Sequence, residues 1–142
     1  MKTNLFISHA WSYSKDYYNL VDLLANAPNF EWSNFSVPKH DPIIDPGTPA
    51  GIKVLTNELD EQIRHCHCFL IISGMYVHHK FWIQREIDIA RKYKKPIIGL
   101  IPRGQERTPQ EVTSVANEMV HWNTSSIVSA IRKYHRERFF WE

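Results

Sequence analysis

Trp82, Glu86, Ile89 and Tyr93 recur at i, i+4, i+7 and i+11, which places a carboxylate on the apolar stripe of one helix. A carboxylate in apolar company either pairs with a nearby cation, here Arg85 or Lys80, or it is held beside a reacting centre where its charge is used. Periodicity alone leaves both open. The position near the start of the helix, with a tryptophan one turn before it, favours the second. Two further polar clusters follow apolar runs: Ser8-His9-Ala10-Trp11 after Leu5-Phe6-Ile7, and Ser73-Gly74-Met75-Tyr76 after Cys68 to Ile72. His65-Cys66-His67-Cys68 has the residue types of a metal site but not the spacing. Alternate residues of a strand point to opposite faces, so the four side chains do not converge, and the expectation is buried cysteines with solvated histidines.

The elements that must position these residues are legible as short apolar runs alternating with helical patterns. Leu5-Phe6-Ile7 reads as a buried strand. Ser14 caps a helix that buries Tyr17, Leu20, Val21 and Leu24. Trp32 to Val37 reads as a weak second strand ended by Pro38, and Lys39 to Ala50, with three prolines and a glycine, as a long loop. Thr48 and Pro49 open a helix that buries Ile52, Leu55, Leu59 and Ile63. Cys68 to Ile72 is apolar without alternation, as a central parallel strand covered on both faces must be. A helix from Lys80 to Tyr93, a strand over Pro96 to Ile101, a capping box at Thr108-Pro109-Gln110-Glu111, a strand at Met119 to Trp122 and a helix from Thr124 complete the pattern. The last helix buries Ile127, Val128 and Ile131, and the apolar tail Phe139-Phe140-Trp141 is expected to pack on a neighbour or a partner.

Five strands separated by helices predict one α/β domain over residues 1–142, a three-layer sandwich with a five-stranded parallel sheet in the flavodoxin-like order 2-1-3-4-5. Such sheets bind ligands beyond the carboxyl ends of the strands where the order reverses, here between the first and third strands. The Ser8 and Ser73 clusters fall there.

Composition removes several functions. A net charge of +2, with its basic residues gathered at helix ends, gives no stripe for nucleic acid. No apolar run approaches the length of a membrane span, and the short N-terminal apolar stretch is not a secretory signal, so a cytoplasmic protein is expected. Neither a P-loop nor a G-x-G-x-x-G fingerprint is present, and Ser73 stands where a phospho-receiver would need aspartate.

Phe6-Ile7-Ser8-His9, the Trp82 and Glu86 pair, and Lys95-Pro96-Ile97-Ile98 resemble a TIR domain. The fuller runs Leu5 to Trp11, Trp82 to Ile87, and Lys95 to Arg103 continuing to Val120-His121-Trp122 resemble the TIR-like ThsB proteins of the bacterial Thoeris antiphage system. The resemblance covers nearly the whole chain. It implies cleavage of the N-glycosidic bond of NAD by one glutamate, giving a cyclic or otherwise modified ADP-ribose signal that activates a partner effector protein. Carried over, it makes Glu86 the catalytic carboxylate and Trp82 a stacking wall. Phe6, Ser8, His9 and Trp11 from the first strand, and Ser73 and Tyr76 from the third, become substrate contacts. Asp45 joins them from the Lys39 to Ala50 loop, which corresponds to the loop that gates TIR sites. The chain departs from the pattern at Ile83, where TIR domains usually have cysteine, and at Lys80, where they often have serine.

One carboxylate suffices for that reaction. Nicotinamide is bound to ribose as a cationic pyridinium and departs neutral, so it needs no general acid, whereas ordinary glycosidases usually need two carboxyl groups. No metal or cofactor is called for, with NAD as the substrate. Two other functions fit the same residues: a non-catalytic TIR-type module that self-associates with like domains, and a nucleotide N-glycosidase acting on a substrate other than NAD.

Overall fold

The computed structural model, which describes residues 2–36, 45–105 and 107–141, turns each apolar run into a strand and each amphipathic segment into a helix. The strands are β1 (Thr3–Ile7), β2 (Trp32–Asn34), β3 (Cys68–Ile72), β4 (Ile97–Ile101) and β5 (Glu118–His121). The helices are α1 (Lys15–Ala25), α2 (Pro49–Arg64), α3 (Lys80–Lys92), α4 (Gln110–Thr113) and α5 (Thr124–Trp141). Every neighbouring pair of strands is parallel, and the sheet runs β2-β1-β3-β4-β5, the predicted order.

Parallel strands need crossovers, and right-handed crossovers in this order send α1 and α5 to one face and α2 and α3 to the other. The observed packing of α1 on α5 and of α2 on α3 agrees. β3 is buried at every residue, which is why its sequence lacks alternation. The register sets Phe6 opposite Phe69 and Ile7 opposite Leu70, so β1 and β3 end side by side. No helix among the described residues is long and apolar enough to cross a membrane.

The helix starts follow from their caps. The Ser14 side chain accepts from Tyr17 N at 3.2 Å, and Thr48 Oγ1 accepts from Gly51 N at 3.1 Å with Pro49 in the first turn. Gly51 is required there, because a Cβ at that position would lie 1.9 Å from the Asp45 carbonyl oxygen.

Four expectations of the sequence change. β2 stops at Asn34, and residues 37–44, which include Val37, Pro38 and the first half of the proline-rich loop, lie outside the described part of the chain. Val21 on α1 and Ile52 in the first turn of α2 are only half-buried, where both were expected to be buried. The capping box does not form: Pro109 occupies the N-cap position of a one-turn α4, with no side-chain capping bond. His67 is not simply solvated, since its ring stacks on His135 at 4.0 Å and its Nδ1 accepts from Asn4 N at 2.8 Å. The side chains of Phe139, Phe140 and Trp141 lie outside the described set.

Candidate active site

At the carboxyl ends of β1 and β3 the chain buries a group of polar side chains around one carboxylate. Glu86 is reached by α3, whose Ile83, Ile87 and Ala90 bury one face and carry Glu86 with them to zero exposure. Its carboxylate makes no ion pair with Arg85 or Lys80 among the described residues. It accepts instead from the β1–α1 loop. Ser8 Oγ donates to Oε1 at 2.5 Å, His9 N to Oε1 at 3.3 Å, and Ala10 N to Oε2 at 2.9 Å.

Hydrogen bonds from donors favour the charged carboxylate, but full burial opposes it and wins. Desolvation, partly offset by Ser8, Ala10 and His9, pushes the Glu86 pKa up to about 7. This perturbed carboxyl group lies inside a donor cradle at the switch point of the sheet, the edge where doubly wound folds bind ligands.

The cradle is held in an uncommon backbone shape. Ala10 and Trp11 are consecutive non-glycine residues with φ of 52° and 59°, in the left-handed region that costs about 1–2 kcal/mol for each such residue. Strain of this kind persists only where surrounding contacts enforce it. Here the Glu86 carboxylate fixes the Ala10 amide, and Trp11 N donates to His9 Nδ1 at 2.9 Å.

That last bond also fixes the imidazole. Nδ1 accepts, so neutral His9 carries its proton on Nε2. The His9 ring is fully buried, stacked on Tyr13 at 4.9 Å and 5.4 Å from Phe6, with Nδ1 4.0 Å from Glu86 Oε2.

The structure brings Phe6, Ser8, His9, Trp11, Trp82 and Glu86 together, whereas Ser73 and Tyr76 reach this cluster through no described contact. Trp11 meets Trp82 edge to face at 6.1 Å, forming a wall beside the carboxylate. Ser73 is buried and its Oγ accepts from Gln105 Nε2 at 2.9 Å. Tyr76 is buried and donates its hydroxyl to Gln84 Oε1 at 3.0 Å, tying the turn after β3 to α3. Phe6 lies in the core, stacked on Phe69 at 5.5 Å, and supports His9 from the sheet side. Asp45 does not reach this cluster through any described contact; its Oδ1 accepts from Gly47 N at 2.8 Å within its own turn.

Several residues of the site gave no sequence signal. Tyr13 packs on His9, and its hydroxyl donates to the Ser36 carbonyl at 3.3 Å. Burial, then the neighbouring Tyr17 and Glu86, raises the Tyr13 pKa and keeps its phenol neutral. Tyr17, Asn34 and Ser36 form a hydrogen-bonded group beside it, from the ends of α1 and β2. Gln105 arrives from the loop after β4 and covers Ser73. Tyr17 was expected only as a buried residue of α1, and Tyr13, Ser36 and Gln105 are recognisable only as residues that follow the carboxyl ends of strands.

The fold and the site define a doubly wound α/β domain with a buried carboxylate at its switch point, the edge where sheets of this order bind ligands. The family model for the Thoeris protein ThsB, TIR-like domain, matches residues 6–107, and the chain belongs to that family. Among solved structures it is similar to the CMP N-glycosidase BcmB of Clostridium botulinum, at 17% identity and a TM-score of 0.53. That match covers 92% of this chain and 98% of the other, and at this identity it establishes a shared fold. No curated protein matches the chain.

Proposed function

We propose that this protein cleaves the N-glycosidic bond of NAD, with Glu86 as the catalytic carboxylate, and releases nicotinamide together with a cyclic or otherwise modified ADP-ribose. In Thoeris antiphage defence that product is the signal read by a partner effector in the cytoplasm. The observation that carries the reading is the fully buried Glu86, poised at about pH 7 in the cradle of Ser8, His9 and Ala10.

In the reaction the bond between ribose C1′ and the pyridinium nitrogen breaks, and its electron pair passes to that nitrogen, so nicotinamide leaves uncharged. Positive charge then develops over C1′ and the ring oxygen. Ionised Glu86 stabilises that charge in a site from which water has been withdrawn, where a fixed anion is most effective. Water captures the ribosyl cation and loses a proton to solvent, or a nucleophile within the product closes the ring. Trp82 and Trp11 present flat surface for the nicotinamide. Self-association belongs to this reading as a route to activation.

A second reading has its own support: a relative of the same fold along nearly its entire length is named a CMP N-glycosidase. Cytosine leaves as an anion unless it is protonated, so that substrate needs Glu86 as a general acid in its neutral form. The two readings therefore give opposite pH dependences. Incubation of the purified protein with NAD and separately with CMP, with mass analysis of the released base, tests them. Nicotinamide release supports the proposal; cytosine release from CMP without nicotinamide release from NAD supports the second reading.

A further inference from the structure

Arg85 precedes Glu86 on α3 and makes no ion pair or side-chain hydrogen bond among the described residues. Its guanidinium lies over the Phe81 ring, 4.7 Å from the centroid, and 6.0 Å from that of Trp82. Among the described residues no carboxylate pairs with it, and its Nε is buried without a hydrogen-bond partner. A buried guanidinium N–H left without an acceptor is costly, and such groups are normally satisfied. The aromatic rings hold the cation in place without neutralising it or accepting its hydrogen bonds.

The surroundings point toward the site rather than away from it. Trp82 links Arg85 to the site: it meets Trp11, from the loop that cradles Glu86, at 6.1 Å, and it meets Phe81 at 5.3 Å with the Arg85 guanidinium 6.0 Å from its centroid. Phe81 is 52% exposed, so the ring that carries Arg85 is open to an incoming ligand.

We infer that Arg85 is the residue that recognises substrate phosphate, so that the site takes a phosphorylated nucleotide in preference to its nucleoside. This rests on the reading of the Glu86 cluster as a nucleotide glycosidase site and names the part of the substrate that the cluster itself does not address. The guanidinium, pre-positioned by Phe81 and Trp82, donates two parallel hydrogen bonds to phosphate oxygens, a geometry that an ammonium does not reproduce. With the phosphate held there, the ribose is oriented across Trp82 toward Glu86.

The test is calorimetric binding to the wild-type protein of two pairs, ADP-ribose against adenosine and CMP against cytidine. It is repeated with Arg85→Met, which keeps an apolar stem against Phe81, and with Arg85→Lys, which keeps the charge. Thermal melts confirm that each variant is folded. In the wild type at least one phosphorylated ligand binds about 10–100-fold more tightly than its nucleoside, the effect expected of a charge-assisted bidentate contact. In Arg85→Met that ratio falls to within about twofold, and Arg85→Lys recovers only part of it. A ratio unchanged in Arg85→Met, or no preference for phosphate in the wild type, overturns the inference. The outcomes also separate it from the reading on which it rests. Phosphate selectivity that depends on Arg85 in a protein that cleaves neither NAD nor CMP removes the glycosidase reading alone. Cleavage of NAD with an unaltered KM in Arg85→Met removes the inference alone.

Discussion

Buried histidines stand at both ends of β1, and their surroundings differ in kind. At the amino end, His135 Nδ1 shares a 2.9 Å hydrogen bond with Thr3 Oγ1, and the His135 ring stacks on His67, which in turn accepts from Asn4 N. Among the described residues the hydrogen bonds there join Thr3, Asn4, His67 and His135 without a carboxylate side chain, and the β1 residues have ordinary backbone angles, although Asn29 in the loop before β2 has a φ of 56°. At the carboxyl end, His9 lies beside an ionisable carboxylate that collects three donors from a loop with two strained residues. Burial of polar groups is therefore common to both ends and distinguishes nothing. Among the described residues, strain combined with a carboxylate poised near neutral pH occurs at one end only, and the proposed function rests on that combination.

The largest effect that separates the two ends is on catalysis. Glu86→Gln is expected to lower base release by about 10²–10³, the usual consequence of removing one preorganised electrostatic group. The fold should survive: glutamine Oε1 still accepts from the Ala10 amide and Ser8 Oγ turns to accept from Nε2, while the long His9 N–H bond is lost, for a cost of about 1–3 kcal/mol. His135→Phe, which keeps a ring against His67 but leaves the Thr3 hydroxyl unpaired, should cost about 1–3 kcal/mol of stability and leave base release unchanged. Equal losses of activity in the two variants would erase the distinction.

The next effect is on stability against pH, where the two ends have opposite signs. Glu86 has its folded pKa raised from 4.5 to about 7, so the folded state binds the proton more tightly. Its contribution is fully present below pH 4.5 and is lost as pH rises to about 7, by about 3 kcal/mol. His135 has its pKa lowered from 6.5 by burial, so its contribution is present above pH 6.5 and declines as pH falls below that value. Chemical denaturation between pH 4 and 8 should show the falling limb in the wild type and its absence in Glu86→Gln. The same slope in both proteins would assign the titration to another group.

The smallest effect sharpens the reading of strain. Ala10→Gly relieves a left-handed alanine at φ 52° but adds freedom to the unfolded chain, for a net gain of up to about 1 kcal/mol. Because the Ala10 amide then points less firmly at Glu86, base release should fall while the melting temperature holds or rises. A clear drop in melting temperature would show that the αL conformation carries no strain.

The sheet was legible because its evidence is local. Continuous apolar runs at Cys68 to Ile72 and Ile97 to Ile101, and the caps at Ser14 and Thr48, each follow from the residues themselves, and alternation with helices then leaves few topologies. Glu86, Ser8, His9 and Trp82 were legible because a charge on an apolar stripe and a polar cluster at a strand end are anomalies in sequence. Tyr13, Ser36 and Gln105 were not, since each joins through a contact with a residue distant in the chain and has an ordinary loop neighbourhood. The αL pair at Ala10 and Trp11 was equally hidden: neither residue type announces a positive φ, which tertiary bonds to Glu86 and His9 impose. α4 illustrates the reverse. Thr108 to Glu111 carries a local capping signal, but the helix has one turn and Pro109 takes the cap position.

The pH dependence of kcat/KM for nicotinamide release from NAD addresses the role of Glu86 most directly, because it reports the ionisation of the free protein's essential group. If ionised Glu86 stabilises the ribosyl cation, the rate rises with pH along a limb with an apparent pKa near 7, the value that burial confers on this carboxyl. A profile that is flat from pH 5 to 9, or one that falls through pH 7, would contradict that role.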